Sequence, residues 1–586
     1  MVRKIVNSGT GDPGDATHYG TDDISKINLL FTGTDQSSTD PITINTITTF
    51  GDGKLLAANP YTYFIYKSGN NFIADSGQGI TPPTSTSNSD FATLLQNVIN
   101  GINPAGTPTL IQLGAGDFPL NNILSIAPSR IGNIEIRGLG MGLTNILISS
   151  GLNGVAAGTD AIKVGALTTS VSGNTGTLTA NANVKDTTVT MSPTDQAKFA
   201  VDDWVLLEHS AVFSTQPSGG ARQGEVHRVI ASSAGVVTFN TPVLANYTTA
   251  NTALLIKLTL MNNIRFSHLT IKKDTTLTST LVQFFTAYHV NNMQMDNVQL
   301  IDSVANYQSG ITLQSCINSS ITNCFLLQNA ANSYNLQYGI ALTSHCTNVL
   351  VDQCRAYGAW RHPFEIGDGR TSVSNPVVAG QGRNLTCSNC AVIGSFVGGF
   401  DNHADADEVR IENCAVLGTS GNTGIELRSK RPKISNCTVN AASARGIDIL
   451  EDASDAEIIN CTATNCGNEG LRIQTNCLNV KVIGGSYNNN GNDGITCQIG
   501  CNNLIISGVN ANNNSNSGIH IVDSDHVNIN GCLATGNTQR GIWINAATLT
   551  LSKINVINNM VMANTSAQIL VDANASATVQ ANNIIT

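Results

Sequence analysis

Four acidic residues in the second half of the chain each directly follow a Phe or an Ile in a recurring short pattern. They are Glu365, Asp401, Glu426 and Asp448. If the fold stacks these acids, neighbouring carboxylates repel one another. Burial also disfavours the charged form of a carboxyl group, so the pKa of at least one acid should rise. A carboxyl group with a raised pKa can serve as a general acid at neutral pH.

Basic residues accompany these acids. Arg361 and His362 precede the first acid, whereas His403 and Arg428 each lie two residues beyond a later one. Two carboxyl groups placed on either side of a bound sugar could carry out glycoside hydrolysis. The predicted acid pair is Asp401 and Glu426, with Glu365 as a third catalytic candidate. The residues predicted to bind substrate or to tune these pKa values are Arg361, His362, His403, Arg428 and Asp448.

The same residues permit other chemistry. In a polysaccharide lyase an arginine or histidine would take the proton α to a uronate, and the carboxylates would hold Ca²⁺. Hydrolysis itself needs no cofactor or metal. The row of acids could also be an ordinary solvated charged face. Asn402 falls on an inward position, which predicts a bulge in the strand near Asp401.

A repeat organises this half of the chain and places the acids. A Gly followed by Ile or Leu recurs every 22 to 24 residues (446 − 424, 470 − 446), and Asn-Cys keeps the same period (437 − 414, 461 − 437). Runs such as Ile-Glu-Leu at 425–427 alternate apolar and polar residues, which is typical of strands with one buried face. A period in the low twenties with β-type runs predicts a solenoid of stacked coils, here a parallel β-helix.

Stacking sets the distances between the acids. Adjacent coils are about 4.8 Å apart, so side chains at one repeat position stack on one another. Acids on adjacent coils would be near 5 Å apart, which suits a retaining glycosidase, and acids on alternate coils about 9.6 Å apart, at or past the inverting limit. Extra residues enter the coils around 325–338 and 367–381, and long loops on a rigid solenoid often carry function.

Composition limits the classes of function. Charged residues make up 12% of the 586 residues and the net charge is −10, with no basic stretch, so a nucleic-acid partner is not expected. No segment approaches the roughly 18 apolar residues of a membrane span. Of 14 cysteines, half share one coil position, which predicts stacked thiols in a dry core; a zinc site at Cys387 and Cys390 is the alternative. The seven are Cys324, Cys354, Cys390, Cys414, Cys437, Cys461 and Cys532.

The chain divides into three predicted parts. Residues 1–80 lack the repeat and form a separate N-terminal attachment module, and residues 81–586 form the parallel β-helix. Apolar residues at helical spacing after Asp90 predict a short helix that caps the open end of the solenoid. Residues 166–252 interrupt the coils as a small inserted β-domain. Its acids and histidines are interpreted as solvated strand faces: Glu208, His209, Glu225 and His227.

The entry into the coils carries a resemblance. The helix, "TLIQLGAGDFPLNNILSI" and "IEIRGLGMGLTNILI" resemble the start of the pectate-lyase-like superfamily of right-handed β-helices, over about residues 85–586. Many phage tailspikes and polysaccharide depolymerases belong to that superfamily. The resemblance implies an all-β, right-handed parallel β-helix that assembles as a homotrimer. It also implies a location on the virion tail, outside the cell, with residues 1–80 attached to the phage tail or baseplate.

The expected function follows from the resemblance and the acids together. It is a virion tailspike that binds a host cell-surface polysaccharide and depolymerises it by glycoside hydrolysis. A polysaccharide lyase acting in the same groove is one alternative. A non-catalytic adhesin and a structural particle protein are the others, and the shared fold does not choose among them.

Overall fold

The structure is a computed structural model of the 586-residue chain. It describes residues 47–50, 54–57, 62–77, 85–102, 108–128, 132–156, 159–166, 174–213, 222–278, 282–302, 310–328, 338–358, 360–368, 380–395, 397–419, 421–450, 453–548, 550–575 and 578–586. Most of the predicted module 1–80 and most of the extra residues at 325–338 and 367–381 lie outside these ranges.

The coils stack into three parallel sheets, and most coils give one strand to each sheet. Met261–Lys273 and Val290–Asp302 are long enough to join both the first and the second sheet. The other strands of the first sheet are Thr109–Leu113, Gly132–Arg137, Ser320–Thr322, Thr347–Asp352, Gly382–Ser388, Ala406–Glu412, Lys433–Ser435, Glu457–Ile459, Lys481–Ile483, Ile505–Ser507, Asn528–Asn530, Ile554–Ile557 and Thr578–Ala581.

The second sheet runs beside the first. Its other strands are Gly116–Leu120, Thr144–Ile148, Phe325–Gln328, Arg355–Gly358, Ala391–Ser395, Ala415–Thr419, Thr438–Ala442, Thr462–Thr464, Leu533–Thr535, Met560–Met562 and Ile584–Ile585. Single bridges at Ser486 and Asn510 continue it through the two coils that have no second-sheet strand.

The third sheet carries the predicted site and is called the site sheet. Its strands are Leu124–Ile126, Thr159–Val164, Val282–Tyr288, Ile311–Gln314, Tyr338–Thr343, His362–Asp368, Phe400–Asn402, Ile425–Leu427, Ile447–Ile449, Leu471–Ile473, Ile495–Cys497, Ile519–Val522, Arg540–Asn545 and Ala567–Val571. The inward side chains of the three sheets form one continuous apolar core. The predicted parallel β-helix is confirmed.

Local chemistry explains the two markers of the repeat. A Cβ on Gly424 would lie 2.4 Å from Val439 and 2.8 Å from the carbonyl oxygen of Gly446, so the coils close up only around glycine at that position. The Asn of each Asn-Cys pair has a positive φ, 54° at Asn413 and 53° at Asn436, a conformation that Asn tolerates better than most residues. The thiol that follows then points into the core.

Two kinds of side-chain ladder run inside the solenoid. All 14 cysteines are buried and unbridged, as the stacked-thiol prediction requires. A second ladder consists of asparagine amides, in which each Oδ1 accepts hydrogen bonds from the backbone N–H and the Nδ2 group of the preceding member. Its members are Asn490, Asn514, Asn537 and Asn564.

The first coil is closed by a helix, as predicted. The helix Phe91–Gly101 begins at Asp90, whose carboxylate accepts hydrogen bonds from the backbone N–H groups of Ala92 and Thr93. The ring centroid of Phe91 lies 4.9 Å from that of Phe118 in the first coil. The helix thus covers apolar surface that the open end of the core would otherwise expose.

Part of the predicted N-terminal module is joined to the coils. Tyr63–Ser68 pairs in parallel with the first solenoid strand, Thr109–Leu113, and antiparallel with Asn71–Ser76, which pairs with Ser85–Asn88. The hairpin Ile47–Phe50 and Lys54–Ala57 precede them. The first solenoid strand therefore does not leave an open sheet edge. The division of the chain at residue 80 stays a prediction.

A six-stranded sheet with its own apolar core interrupts the coils, where the inserted β-domain is predicted. All of its described pairings are antiparallel, in contrast to the solenoid. The domain limits 166–252 stay a prediction. The strands are Thr175–Thr177, Thr188–Thr190, Trp204–Val212, Arg222–Ser233, Val236–Phe239 and Leu254–Lys257, with a helical turn at Pro193–Gln196. Short 3-10 turns lie at Ser150–Leu152 and Thr249–Asn251.

Candidate functional site

The four predicted acids form one ladder on the site sheet. Glu365 pairs in register with Asp401, Asp401 with Glu426, and Glu426 with Asp448. The residue before each acid is apolar and points into the core. These residues are Phe364, Phe400, Ile425 and Ile447. The period of the repeat therefore predicted the stacking correctly, through coils of unequal length.

The strand that carries Asp401 is not bulged, so the predicted bulge is wrong. Asn402 stays in register with Ile366 and Leu427 and keeps its inward position. Its Oδ1 accepts hydrogen bonds from the backbone N–H and the hydroxyl of Ser429, and its Nδ2 donates to the backbone carbonyls of Ile366 and His403. A polar side chain fits inside because it bonds the turns of three consecutive coils together.

The acids are buried, although their ladder lies on the outer face of the sheet. The exposed fractions of Glu365, Asp401, Glu426 and Asp448 are 1, 1, 5 and 3%. The alternative of a solvated charged face is therefore wrong. Burying a carboxylate is costly unless it is paired and hydrogen-bonded, so the partners of each acid decide what it can do.

His403 lies between two of the acids. Its Nε2 is 3.0 Å from Oδ2 of Asp401 and 3.2 Å from Oε1 of Glu365. Burial alone would lower the pKa of His403, but the two carboxylates outweigh it and raise that pKa to about 9. His403 is therefore a cation at neutral pH, which does not suit the role of a base.

Asp401 is the acid with the most cationic surroundings. Besides His403, the Nε2 of His362 is 3.5 Å from its Oδ2, and NH1 of Arg428 is 3.5 Å from its Oδ1. Burial would raise the pKa of Asp401, but these charges and the contact with His403 hold it well below its usual range. Asp401 is ionised throughout the neutral range.

Glu426, on the next coil, has the opposite tendency. Burial and the charge of Asp401 raise the pKa of Glu426 to about 7, even though the guanidinium of Arg428 pairs with its Oε2. Asn422 donates a hydrogen bond of 3.1 Å to its Oε1. Two carboxyl groups one coil apart, about 4.8 Å in backbone spacing, thus have pKa values displaced in opposite directions, with Arg428 touching both.

The remaining predicted residues have supporting positions. Asp448 receives two hydrogen bonds from Arg472, of 2.9 and 2.6 Å, and one from Gln474, so its carboxylate holds an arginine in place. Arg361 lies over the ring of Tyr338, 5.5 Å from its centroid. His362 stacks near the same ring, and burial lowers the pKa of His362 to about 4.

Arg445 lies beside the acid ladder and is not among the residues predicted from the sequence. Its Nε donates a hydrogen bond of 3.1 Å to Glu469 on the next coil, and its NH1 is 3.9 Å from Asp448. Arg445 and Glu469 each directly precede the repeat glycine, as Asp493 does. The position before the repeat glycine therefore carries a second charged row, and the repeat in the sequence is the signal that predicts it.

The inserted sheet contains acids and histidines that were predicted to be solvent-exposed but are buried. Glu208, His209, Glu225 and His227 are all buried, so their interpretation as solvated strand faces is wrong. Burial raises the pKa of Glu208 to about 7, although the guanidinium of Arg222, 3.7 Å away, acts in the opposite direction. The neighbouring Gly224 donates a backbone hydrogen bond of 3.0 Å to Gln381 of the coils, so this part of the inserted sheet packs against the solenoid.

In the part of the chain that the structure describes, no three or more His, Cys, Asp or Glu side chains are grouped so that they could hold a metal ion. No helix within the described ranges has the length and apolar character of a membrane span.

The C-terminal part of the chain matches a known family. Residues 423–585 match the family model described as a right-handed β-helix region. The chain also resembles the capsule K1-specific depolymerase of Klebsiella phage K64-1, with 22% identity over 267 residues. That match covers 44% of this chain and 28% of the relative's length. The chain is a right-handed β-helix protein similar to phage tailspikes and depolymerases.

Two solved structures share the fold over most of the chain. The Gp54 tailspike of Acinetobacter baumannii bacteriophage AP22, in complex with a capsular saccharide, has a TM-score of 0.51 and 15% identity, covering 84% of this chain and 76% of its own. The tailspike gp49 of Pseudomonas phage LKA1 has a TM-score of 0.50 and 16% identity, covering 83% and 77%. The predicted fold class is confirmed; the pectate-lyase-like assignment stays a prediction.

Proposed function

We propose that the protein is a phage tailspike that binds a host cell-surface polysaccharide and cleaves it by glycoside hydrolysis. The observation that carries the proposal is the pair Asp401 and Glu426, whose pKa values are displaced in opposite directions on adjacent coils. Two titratable groups with opposed pKa shifts are the signature of an acid and its ionised partner. The similarity to a capsule depolymerase and to a tailspike bound to capsular saccharide supports a polysaccharide as the substrate.

Each residue has a role in the proposed reaction. Glu426, protonated up to about pH 7, gives its proton to the glycosidic oxygen as the bond to the leaving sugar breaks. Asp401 is ionised and attacks the anomeric carbon or stabilises its developing positive charge, as expected at about 5 Å separation in a retaining enzyme. Water then completes the hydrolysis, with Glu426 taking a proton from it.

The neighbouring cations stabilise this arrangement. His403 and Arg428 keep Asp401 ionised in a buried position, and Arg428 also contacts Glu426. The side chains of Arg428 and Glu426 are 20 and 6% exposed, whereas that of Asp401 is 2% exposed. The acid pair is therefore more open to solvent at Glu426 than at Asp401. The sugar therefore enters over Glu426 and Arg428.

The polysaccharide lyase is the second candidate and uses the same groove. A lyase needs a base that is unprotonated before it takes the proton. His403, with its pKa near 9, is protonated at neutral pH and does not suit that role. This observation favours hydrolysis. A non-catalytic adhesin would use the same donors and acceptors without turnover.

A reducing-end assay with purified capsular polysaccharides distinguishes these functions. We expect new reducing ends without the ultraviolet absorbance of an unsaturated product, and kcat/KM should fall about tenfold per pH unit above pH 7 as Glu426 loses its proton. The low pKa of Asp401 predicts no second fall between pH 4 and 6. Unsaturated products would mean a lyase, and binding without products an adhesin.

We also infer a homotrimer whose residues 1–80 attach to the phage tail, as the resemblance implies. An apolar row on the second sheet supports self-association: Tyr357, Ile393 and Leu417 are in register on three consecutive coils. Ile393 and Leu417 are exposed, and such rows mark interaction surfaces.

Light scattering tests the homotrimer. We expect the mass of three chains for the wild type and a smaller mass for Leu417→Asp, because a charge in an apolar interface is costly. Val212→Asp makes the same change at an exposed position of the inserted sheet and should leave the mass unchanged. A wild-type mass of one chain would contradict the trimer.

A further inference from the structure

The outer face of the site sheet continues past the acid pair as a row of charged side chains from two repeat positions. Beyond Glu426 the ladder runs to Asp448 and then Arg472. Arg445, which precedes the repeat glycine, lies between Asp448 and Glu469. Arg472 is two coils from the proton donor, roughly 9.6 Å along the solenoid axis. A polysaccharide that reaches Glu426 along this face would pass over these residues.

The carboxylates of this row have their acceptor positions filled by the protein. Asp448 receives hydrogen bonds from Arg472 and Gln474. Glu469 receives one from Arg445 and one of 2.9 Å from Asn492. Their side chains are 4 and 11% exposed. The carboxylate oxygens of Asp448 and Glu469 therefore lie below the surface and are poorly placed to bind a ligand.

The guanidinium groups, in contrast, reach the surface. The side chains of Arg445 and Arg472 are 22 and 16% exposed, and each is held from beneath by a carboxylate. Arg472 uses Nε and NH2 for Asp448, and among the described residues its NH1 has no hydrogen-bond or ion-pair partner. The same holds for NH2 of Arg445. This stretch of the site sheet presents N–H donors in fixed positions.

We propose that Arg445 and Arg472, which lie one and two coils beyond the cleavage point, form a subsite that binds the carboxylate of an acidic sugar. The proposal rests on the proposed polysaccharide-binding function and adds a substrate class to it. Guanidinium groups match the planar carboxylate and bind it through parallel N–H bonds. The carboxylates beneath hold both side chains in place, so little entropy is lost when the sugar binds.

The test measures binding of immobilised bacterial capsular polysaccharides, each acidic member presented both native and with its carboxyl groups reduced. The wild type should bind native acidic polysaccharide at least about tenfold more tightly than its reduced form, as expected for a charged hydrogen bond. Arg472→Gln and Arg445→Gln should lose most of that difference and bind the reduced form as the wild type does. Arg410→Gln, at an exposed position of the first sheet, removes the same charge elsewhere and should change nothing.

Each other outcome has a definite meaning. Equal wild-type binding of native and reduced forms overturns the subsite and leaves the proposed function standing. Variants that weaken both forms equally also overturn it, because the arginines would then act only in stacking the coils. Failure of the wild type to bind any polysaccharide of the set overturns the proposed function and the subsite with it.

Discussion

Replacing Asp401 by Asn or Glu426 by Gln is expected to lower the turnover of a cleavable polysaccharide by about 10²- to 10⁴-fold. Asp401→Asn removes the anion that His403 and Arg428 hold ionised. Glu426→Gln removes the only proton that this side chain can give to the leaving sugar. Both changes keep the shape of the side chain, so polysaccharide binding should be retained.

The two variants should differ with the substrate. A sugar whose leaving group needs no protonation should restore much of the kcat/KM of Glu426→Gln, which reports the bond-breaking step, but not that of Asp401→Asn. The kcat of Glu426→Gln should stay low, because Glu426 also takes a proton from water in the second step. The pH dependence above pH 7 should also disappear in Glu426→Gln. Turnover is followed by reducing ends, and binding by retention on the immobilised polysaccharide.

A matched change on another face controls for the loss of a carboxylate as such. Glu457 on the first sheet is partly exposed and pairs with Lys433 and Lys481, so Glu457→Gln should keep the wild-type rate. Full activity in either site variant would refute the assignment of the acid pair. Loss of binding together with turnover would instead make these acids ligands of the sugar.

Replacing Asn514 by Ala is expected to destabilise the solenoid by about 3 to 5 kcal/mol, since several buried groups would lose their partners at about 1 to 3 kcal/mol each. The Oδ1 of Asn514 accepts from the backbone N–H and Nδ2 of Asn490, and its Nδ2 donates to Tyr487 and Asn537. All of these groups lie in the core, where water does not replace the lost bonds.

Denaturant unfolding and hydrogen exchange measure this effect. Because each coil contacts only its neighbours, loss of exchange protection should centre on the coils that contain Asn490, Asn514 and Asn537. Asn555→Ala is the matched control, because Asn555 is half-buried on a strand of the first sheet and should shift stability by no more than about 0.5 kcal/mol. Equal effects of the two substitutions would show that the amide ladder contributes no special stability.

The acid ladder is the feature that the sequence predicted most fully. The repeat glycines and the strand alternation predicted that Glu365, Asp401, Glu426 and Asp448 stack, and they do. In a solenoid the neighbours in space are the same position one coil later, so the period of the sequence contains the tertiary register. The capping helix after Asp90 and the buried thiols followed from equally local signals.

The same reasoning failed where a side chain's partners come from several coils or from the inserted sheet. Asn402 looked misplaced because alternation does not reveal that Ile366, His403 and Ser429 meet its amide. Glu208 and Glu225 looked solvated because strand alternation does not show what covers a strand. Pairing of Tyr63–Ser68 with the first coil was missed because it joins strands without the repeat.

The sequence by itself therefore determined the β-helix, the stacking of the acids and the thiol core, because each depends on residues one coil apart and on local backbone preferences. Only the tertiary structure decided the burial of the acids, the place of His403 between Glu365 and Asp401, and the contact of Arg428 with both Asp401 and Glu426. These decide the chemistry because a carboxyl's pKa depends on its desolvation and on charges within a few ångströms. Both are set by side-chain packing in three dimensions, which the period of the repeat does not contain.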